Sequence, residues 1–124
     1  MKPQLKNGRA LVLHGPQGCG KTKLARELAS AKGNYVQITG EELTAKFPSW
    51  LRPGITTVIV LELPPKRMGN DWLKSLITSR WLTAERMGKP PEIVETPFFI
   101  FETYDSAAAK ALQQPWLELH EVKA

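Results

Sequence analysis

The sequence predicts an α/β fold, a three-layer sandwich around a mainly parallel five-stranded sheet, and three observations predict it. Short apolar runs alternate with helical patterns along the whole chain. The run Thr56-Thr57-Val58-Ile59-Val60-Leu61-Glu62 is β-branched and apolar almost throughout, as a central strand buried on both faces requires. A glycine-rich segment, Gly15-Pro16-Gln17-Gly18-Cys19-Gly20-Lys21-Thr22, separates the first apolar run from the first helical one.

The elements follow in order. Residues 2–8 read as a loose lead-in, and Ala10-Leu11-Val12-Leu13-His14 as a buried strand that stops at glycine. From Lys21 to about Ala31, strong helix formers place Leu24, Ala25, Leu28 and Ala29 on one face, with Gly33 as a stop. Tyr35–Ile38 is a second strand. Thr39-Gly40-Glu41-Glu42 has capping-box spacing and predicts a short helix to about Phe47. A loop, Pro48–Gly54, leads into the Thr56–Glu62 strand, which Pro64-Pro65 ends. Asn70 or Asp71 caps a helix expected to reach Thr83, since Trp72, Leu73, Leu76, Ile77 and Trp81 have helical spacing. Ala84 to Thr96 reads as a hairpin or irregular excursion turning near Gly88-Lys89-Pro90-Pro91. Phe98–Phe101 is a fourth strand, Ser106–Gln113 an alanine-rich helix, and Trp116–Val122 an alternating C-terminal edge strand.

The 124 residues suit a single domain with one core. No apolar run approaches the roughly 20 residues that cross a bilayer, and the N-terminus has no apolar signal core, so the expectation is a soluble cytoplasmic protein without a membrane partner. Cys19 is the single cysteine, which rules out an internal disulfide. Seventeen Lys and Arg against twelve Asp and Glu leave a net charge of +5, which suits a polyanionic partner and equally a basic surface with none.

The glycine-rich segment has the spacing of a P-loop, and the strand before it and helix after it are the context that motif needs. A loop that wraps phosphate must turn backbone N–H groups inward, and side chains at Gly15, Gly18 and Gly20 would obstruct it. Lys21 supplies charge for the β- and γ-phosphates, the Thr22 hydroxyl can ligate Mg²⁺, and the helix dipole points its positive end at the same anion. Pro16, Gln17 and Cys19 complete the loop, with Cys19 as a small space-filler. The expected ligand is a nucleoside triphosphate.

Hydrolysis needs a carboxylate near Mg²⁺ and a group that positions water. Glu62 stands at a strand end where such groups sit, but alone. If it is the second acid of an Asp-Glu pair, Leu61 occupies the Asp position and Mg²⁺ loses a ligand. If it is the first, Leu63 follows and the base is missing. The reading as base or water-orienter leaves Thr22 and phosphate oxygens to hold Mg²⁺. Gly15, Glu62 and Thr103 each end a predicted strand and would share one crevice.

Taken together, the P-loop, the Glu62 strand and the Phe98–Thr103 strand resemble P-loop NTPases of the additional-strand, AAA+ kind. Leu73–Thr78, then Arg86-Met87-Gly88-Lys89-Pro90, then Thr96–Thr103 resemble superfamily-three helicases of viruses, phages and plasmids. That resemblance implies a sheet order of 5-1-4-3-2, ATP and Mg²⁺ as ligands, and a subunit ring or larger replication assembly acting on DNA. It also implies that Arg86 and Lys89 sit on a hairpin facing single-stranded DNA. Thr103 takes the place of the family's sensor asparagine. Arg67, Arg80 and Arg86 are candidates for the arginine that a ring ATPase borrows from a neighbour. The expected function is an ATPase of phage or mobile-element helicase type with Lys21, Glu62 and Thr103 as catalytic residues. The alternative is a nucleotide-binding interaction or regulatory module with little or no hydrolysis. A small-molecule kinase ranks third, because no arginine-rich lid follows.

Overall fold

A computed structural model describes residues 2–45, 48–112 and 114–123. The chain forms β1 (Ala10–His14), α1 (Lys21–Ser30), β2 (Asn34–Thr39), α2 (Gly40–Leu43) and β3 (Ile55–Leu61). A 3₁₀ turn at Pro65–Arg67 leads to α3 (Asp71–Thr78), β4 (Trp81–Arg86) and β5 (Lys89–Glu95). The chain ends with β6 (Phe98–Thr103), α4 (Ser106–Ala111) and β7 (Leu117–Glu121).

Five strands form one sheet in the order β2-β3-β6-β1-β7, and every neighbouring pair in it is parallel. This order differs from the expected 5-1-4-3-2 because β4 and β5 fall between β3 and β6 in the chain and form a separate antiparallel sheet. With that hairpin left out of the count, the main sheet reads 2-3-4-1-5, or 5-1-4-3-2 from its other edge.

Alternation along the strands divides the core into two layers. Leu11, Leu13, Ile59 and Ile100 face α1, which meets them with Ala25 and Ala29. Alanine at the contact lets the helix lie close to the sheet. Val12, Val58, Val60, Phe99 and Phe101 face the other way and pack with Leu73 and Ile77 of α3, with Ala84 and Val94 of the hairpin, and with Trp50. Trp50 meets Phe99 edge-on at 5.7 Å between ring centres, and its indole N–H donates to the Glu42 carbonyl at 3.2 Å.

The capping box forms as its spacing predicts, with the Thr39 hydroxyl accepting from the Glu42 N–H at 3.3 Å and Glu42 reaching back to the Thr39 N–H. α2 stops at Leu43 and α4 at Ala111, both short of expectation, while the expected ends themselves, Phe47 and Gln113, lie outside the described residues. One element differs in type. The helix capped by Asn70 stops at Thr78 rather than Thr83, and Trp81 lies on β4. Ser79 is already extended, and the Thr96 N–H donates to the Arg80 carbonyl at 3.0 Å, closing the base of the hairpin where the helix would have continued. No helix among the described residues is long and apolar enough to cross a membrane.

Candidate functional site

The segment Gly15–Thr22 runs from the end of β1 into α1 at the carboxyl edge of the sheet. Gly15 is clamped on both sides. Its N–H donates to the Thr103 carbonyl at 3.3 Å, and a Cβ added to it would overlap the Val122 carbonyl oxygen. The Val122 N–H in turn donates to the His14 carbonyl at 2.8 Å, so the extension of β7 seals the loop's first residue. Gly18 and Gly20 have φ of +79° and +95°, where a Cβ is strained even though open space surrounds them.

Lys21 turns back into its own loop. Its ammonium donates to the Gly15 carbonyl at 2.9 Å and the Pro16 carbonyl at 3.0 Å, with the half-buried Cys19 Sγ 4.0 Å away. An ammonium has three protons, so one stays free of the two carbonyls for another acceptor. Gly20 is the N-cap of α1 and offers no side-chain cap. The first N–H groups of a helix have no intrahelical partner, so this end of α1 favours an anion.

A cleft of about 380 Å³ opens in front of the loop. Gln17, Gly18, Gly20, Lys21, Thr22 and Lys23 form one wall, and Glu62 and Glu102 the other. Glu62 lies one residue beyond β3 with φ of +49°, a left-handed conformation that is rare for a residue with a side chain. Glu102, on β6, is 1% exposed. Its Oε1 accepts from the Thr22 hydroxyl at 2.7 Å, while Oε2 is buried without a hydrogen-bond partner. Burial pushes the Glu102 carboxyl above its usual range, the Thr22 hydrogen bond opposes that shift, and the nearby Glu62 charge reinforces it.

Sequence reasoning placed Thr103 here and overlooked Glu102. Thr103 is buried, shares the Phe99 and Phe101 side of β6, and accepts the Asp105 N–H at 3.3 Å. Glu102 shares the Ile100 side, which faces α1 and the loop. The signal was a lone acid in an apolar run, but the face that matters depends on where α1 packs.

The hairpin residues separate as well. The Arg86 guanidinium donates to the Leu51 carbonyl at 2.6 Å and the Pro48 carbonyl at 3.4 Å, with Glu92 at 4.0 Å. Lys89 is exposed at the start of β5. Arg80 lies over the Trp81 ring at 5.6 Å. A larger cleft of about 450 Å³, bordered by Lys6, Arg9 and Arg80, lies at the amino ends of β1 and β6, away from the loop. Ligands of open parallel sheets bind at the carboxyl ends, so the smaller cleft is the candidate site.

Among solved structures the chain is similar to the A form apo structure of the NrS-1 C-terminal region, with a TM-score of 0.69 at 19% identity. A second A form apo structure, of NrS-1 residues 305–718, gives a TM-score of 0.73 at 20% identity. These matches cover 96% and 97% of this chain but only 30% and 29% of the other, so the chain spans less than a third of the structures it resembles. No curated protein matches. Residues 13–109, from the end of β1 into α4, match the family of unknown function DUF5906, and the chain belongs to that family.

Proposed function

We propose that the chain binds the phosphates of ATP in the Gly15–Thr22 loop and acts as a Mg²⁺-dependent ATPase of helicase type, working with or on DNA. One observation carries this reading: a lysine held within a glycine loop, at the uncapped start of α1, lines an open cleft together with Thr22 and two glutamates. In this reading Lys21 exchanges part of its bonding to the Gly15 and Pro16 carbonyls for β- and γ-phosphate oxygens. The N–H groups at the start of α1 take further phosphate oxygens. The Thr22 hydroxyl is a hard oxygen donor of the kind Mg²⁺ prefers, and Mg²⁺ would offset phosphate charge. Glu62 orients the attacking water from the opposite wall. The net charge of +5 and the exposed Lys89 are compatible with a nucleic-acid partner. A homo-oligomer or larger replication assembly would supply the arginine that neutralises transition-state charge.

The test is phosphate release from ATP and from GTP, with and without single-stranded DNA, alongside the mass of the protein in nucleotide. ATP turnover stimulated by DNA, and loss of binding by at least a hundredfold in Lys21→Ala, are expected (about 2.7 kcal/mol). Wild-type affinity in Lys21→Ala would refute the phosphate site. A second reading, nucleotide binding with little or no hydrolysis, draws on Leu61 at the end of β3 and on Thr103 turning away from the cleft. Tight ATP binding without phosphate release would select it.

A further inference from the structure

We propose that Glu102 supplies the carboxylate of a divalent-cation site beside Thr22, replacing from β6 the acid that β3 lacks at Leu61. The inference rests on the phosphate reading of the loop and adds to it a cation ligand that the sequence pattern did not assign.

β3 ends without an acid. Leu61, the last residue of β3, carries only a hydrocarbon side chain and cannot ligate a cation. Glu62 follows it, lines the cleft, and is turned by its left-handed backbone. β6 lies between β3 and β1 in the sheet, so its carboxyl end is flanked by the acidic strand end on one side and the phosphate loop on the other. The Leu63 N–H donates to the Glu102 carbonyl at 2.9 Å, which ties the two strand ends together. Glu102 is thus the acid on the strand next to the one where an acid was expected, on the sheet face that carries the loop.

Its side chain has the chemistry of a ligand. Oε1 already meets the Thr22 hydroxyl at 2.7 Å, and a carboxylate, a hydroxyl and phosphate oxygens make up the oxygen donor set that Mg²⁺ and Mn²⁺ take. Oε2 is buried with no hydrogen-bond partner, although the residue lines the cleft. A carboxylate in that setting costs free energy unless a proton or a cation compensates it, and the cleft beside it gives a cation access. Lys21 does not form that ion pair, since its ammonium is directed at the Gly15 and Pro16 carbonyls. Glu62 adds negative charge to the same wall. A cation between Thr22 and Glu102 would satisfy the stranded oxygen and reduce the repulsion between the two glutamates.

The experiment uses the full chain with ADP and Mn²⁺. Nucleotide affinity is measured in chelator and in Mn²⁺, and bound Mn²⁺ is counted by electron paramagnetic resonance. Wild type is expected to bind ADP in chelator and to bind it at least tenfold tighter with one Mn²⁺ present. Glu102→Gln keeps an oxygen for the Thr22 hydroxyl. It is expected to bind ADP in chelator at least as tightly as wild type, because one negative charge near the phosphates is gone, and to lose the Mn²⁺ gain and the bound-Mn²⁺ signal. Glu102→Asp, which keeps the carboxylate, is expected to retain part of both. Equal Mn²⁺ binding in wild type and a folded Glu102→Gln overturns the assignment. Failure of wild type to bind ADP under either condition overturns the phosphate reading, and this proposal with it.

Discussion

The Thr22 hydroxyl donates to Glu102 at 2.7 Å across 80 residues of chain, so the start of α1 and the end of β6 meet at one point. Glu62 enters the same cleft from the third strand, next to β6 in the sheet. This convergence defines the site more narrowly than the loop alone, and it gives the two acids different tasks to test.

Glu62 combines strain with a place in the cleft. A non-glycine residue with φ of +49° costs about 1 kcal/mol. Glu62→Gly is expected to melt no lower than wild type, and up to several degrees higher if relief of strain exceeds the entropy glycine loses on folding. Glu62→Gln is expected to keep nucleotide affinity within threefold and to lose phosphate release at least a hundredfold. Equal turnover in Glu62→Gln would remove its assigned role. A clear drop in the Glu62→Gly melting temperature would mean that side-chain contacts, rather than strain, dominate at this position.

Gly15 and Gly18 make a contrast within one loop. Replacing Gly15 with alanine drives a Cβ into the Val122 backbone, which is held by its own hydrogen bond to His14 and cannot yield cheaply. Gly15→Ala is expected to destabilise by about 3 kcal/mol. Gly18→Ala meets open space and faces only the cost of its left-handed backbone, about 1 kcal/mol. Denaturant titration of the two variants measures the difference, and equal losses would contradict the clamp by β7.

The elements that local chemistry decides were legible in the sequence. β1 and the Thr39–Glu42 capping box depend on neighbouring residues, and both form where expected. Trp81 was not legible, because it fits the spacing of α3 and the alternation of β4 equally well. What decides is its pairing opposite Glu95, a partner 14 residues away. Glu102 was missed for a related reason. Alternation separates Glu102 from Thr103, but only the packing of α1 on Ile100 and Ile59 tells which of them meets the loop. Arg86 was legible as a hairpin cation, and its acceptors at Pro48 and Leu51 were not, because they come from a loop more than 30 residues earlier.

His14 links the loop to solution pH. The residue is 2% exposed, and its Nδ1 lies 3.1 Å from the Ser106 hydroxyl. Burial holds the imidazole below its ordinary value of 6.5, with Lys110 and His120 acting in the same direction and Glu121 opposing. Below about pH 6.5 the unfolded chain therefore takes up a proton that the folded chain refuses. This contribution to stability is complete above that pH and is lost as pH falls toward the lowered folded value, at a slope of at most about 1.4 kcal/mol per pH unit. Urea titrations from pH 7.5 to 5 are expected to show that slope in wild type and a shallower one in His14→Gln. Parallel curves would show that His14 titrates as it does in the unfolded chain.

Arg86 and Lys89 share a hairpin and differ in their bonding, so their substitutions separate fold from function. Arg86 joins β4 to the Pro48–Leu51 segment through two backbone carbonyls, and its side chain is 26% exposed. Charge-assisted hydrogen bonds of this kind contribute about 1.5–3 kcal/mol, and partial exposure places the pair at the lower end. Arg86→Ala is expected to destabilise by about 2 kcal/mol and to lower the melting temperature by roughly 5–10 °C. Lys89 is exposed at the hairpin turn, so Lys89→Ala is expected to change stability by less than about 0.5 kcal/mol. If the hairpin contacts single-stranded DNA, Lys89→Ala weakens binding severalfold and reduces its dependence on salt, because one fewer phosphate is neutralised. Fluorescence anisotropy with a labelled oligonucleotide at two salt concentrations reads both effects. A Lys89→Ala variant with wild-type affinity and salt slope would show that the hairpin does not face nucleic acid, and Arg86 would then serve the fold alone.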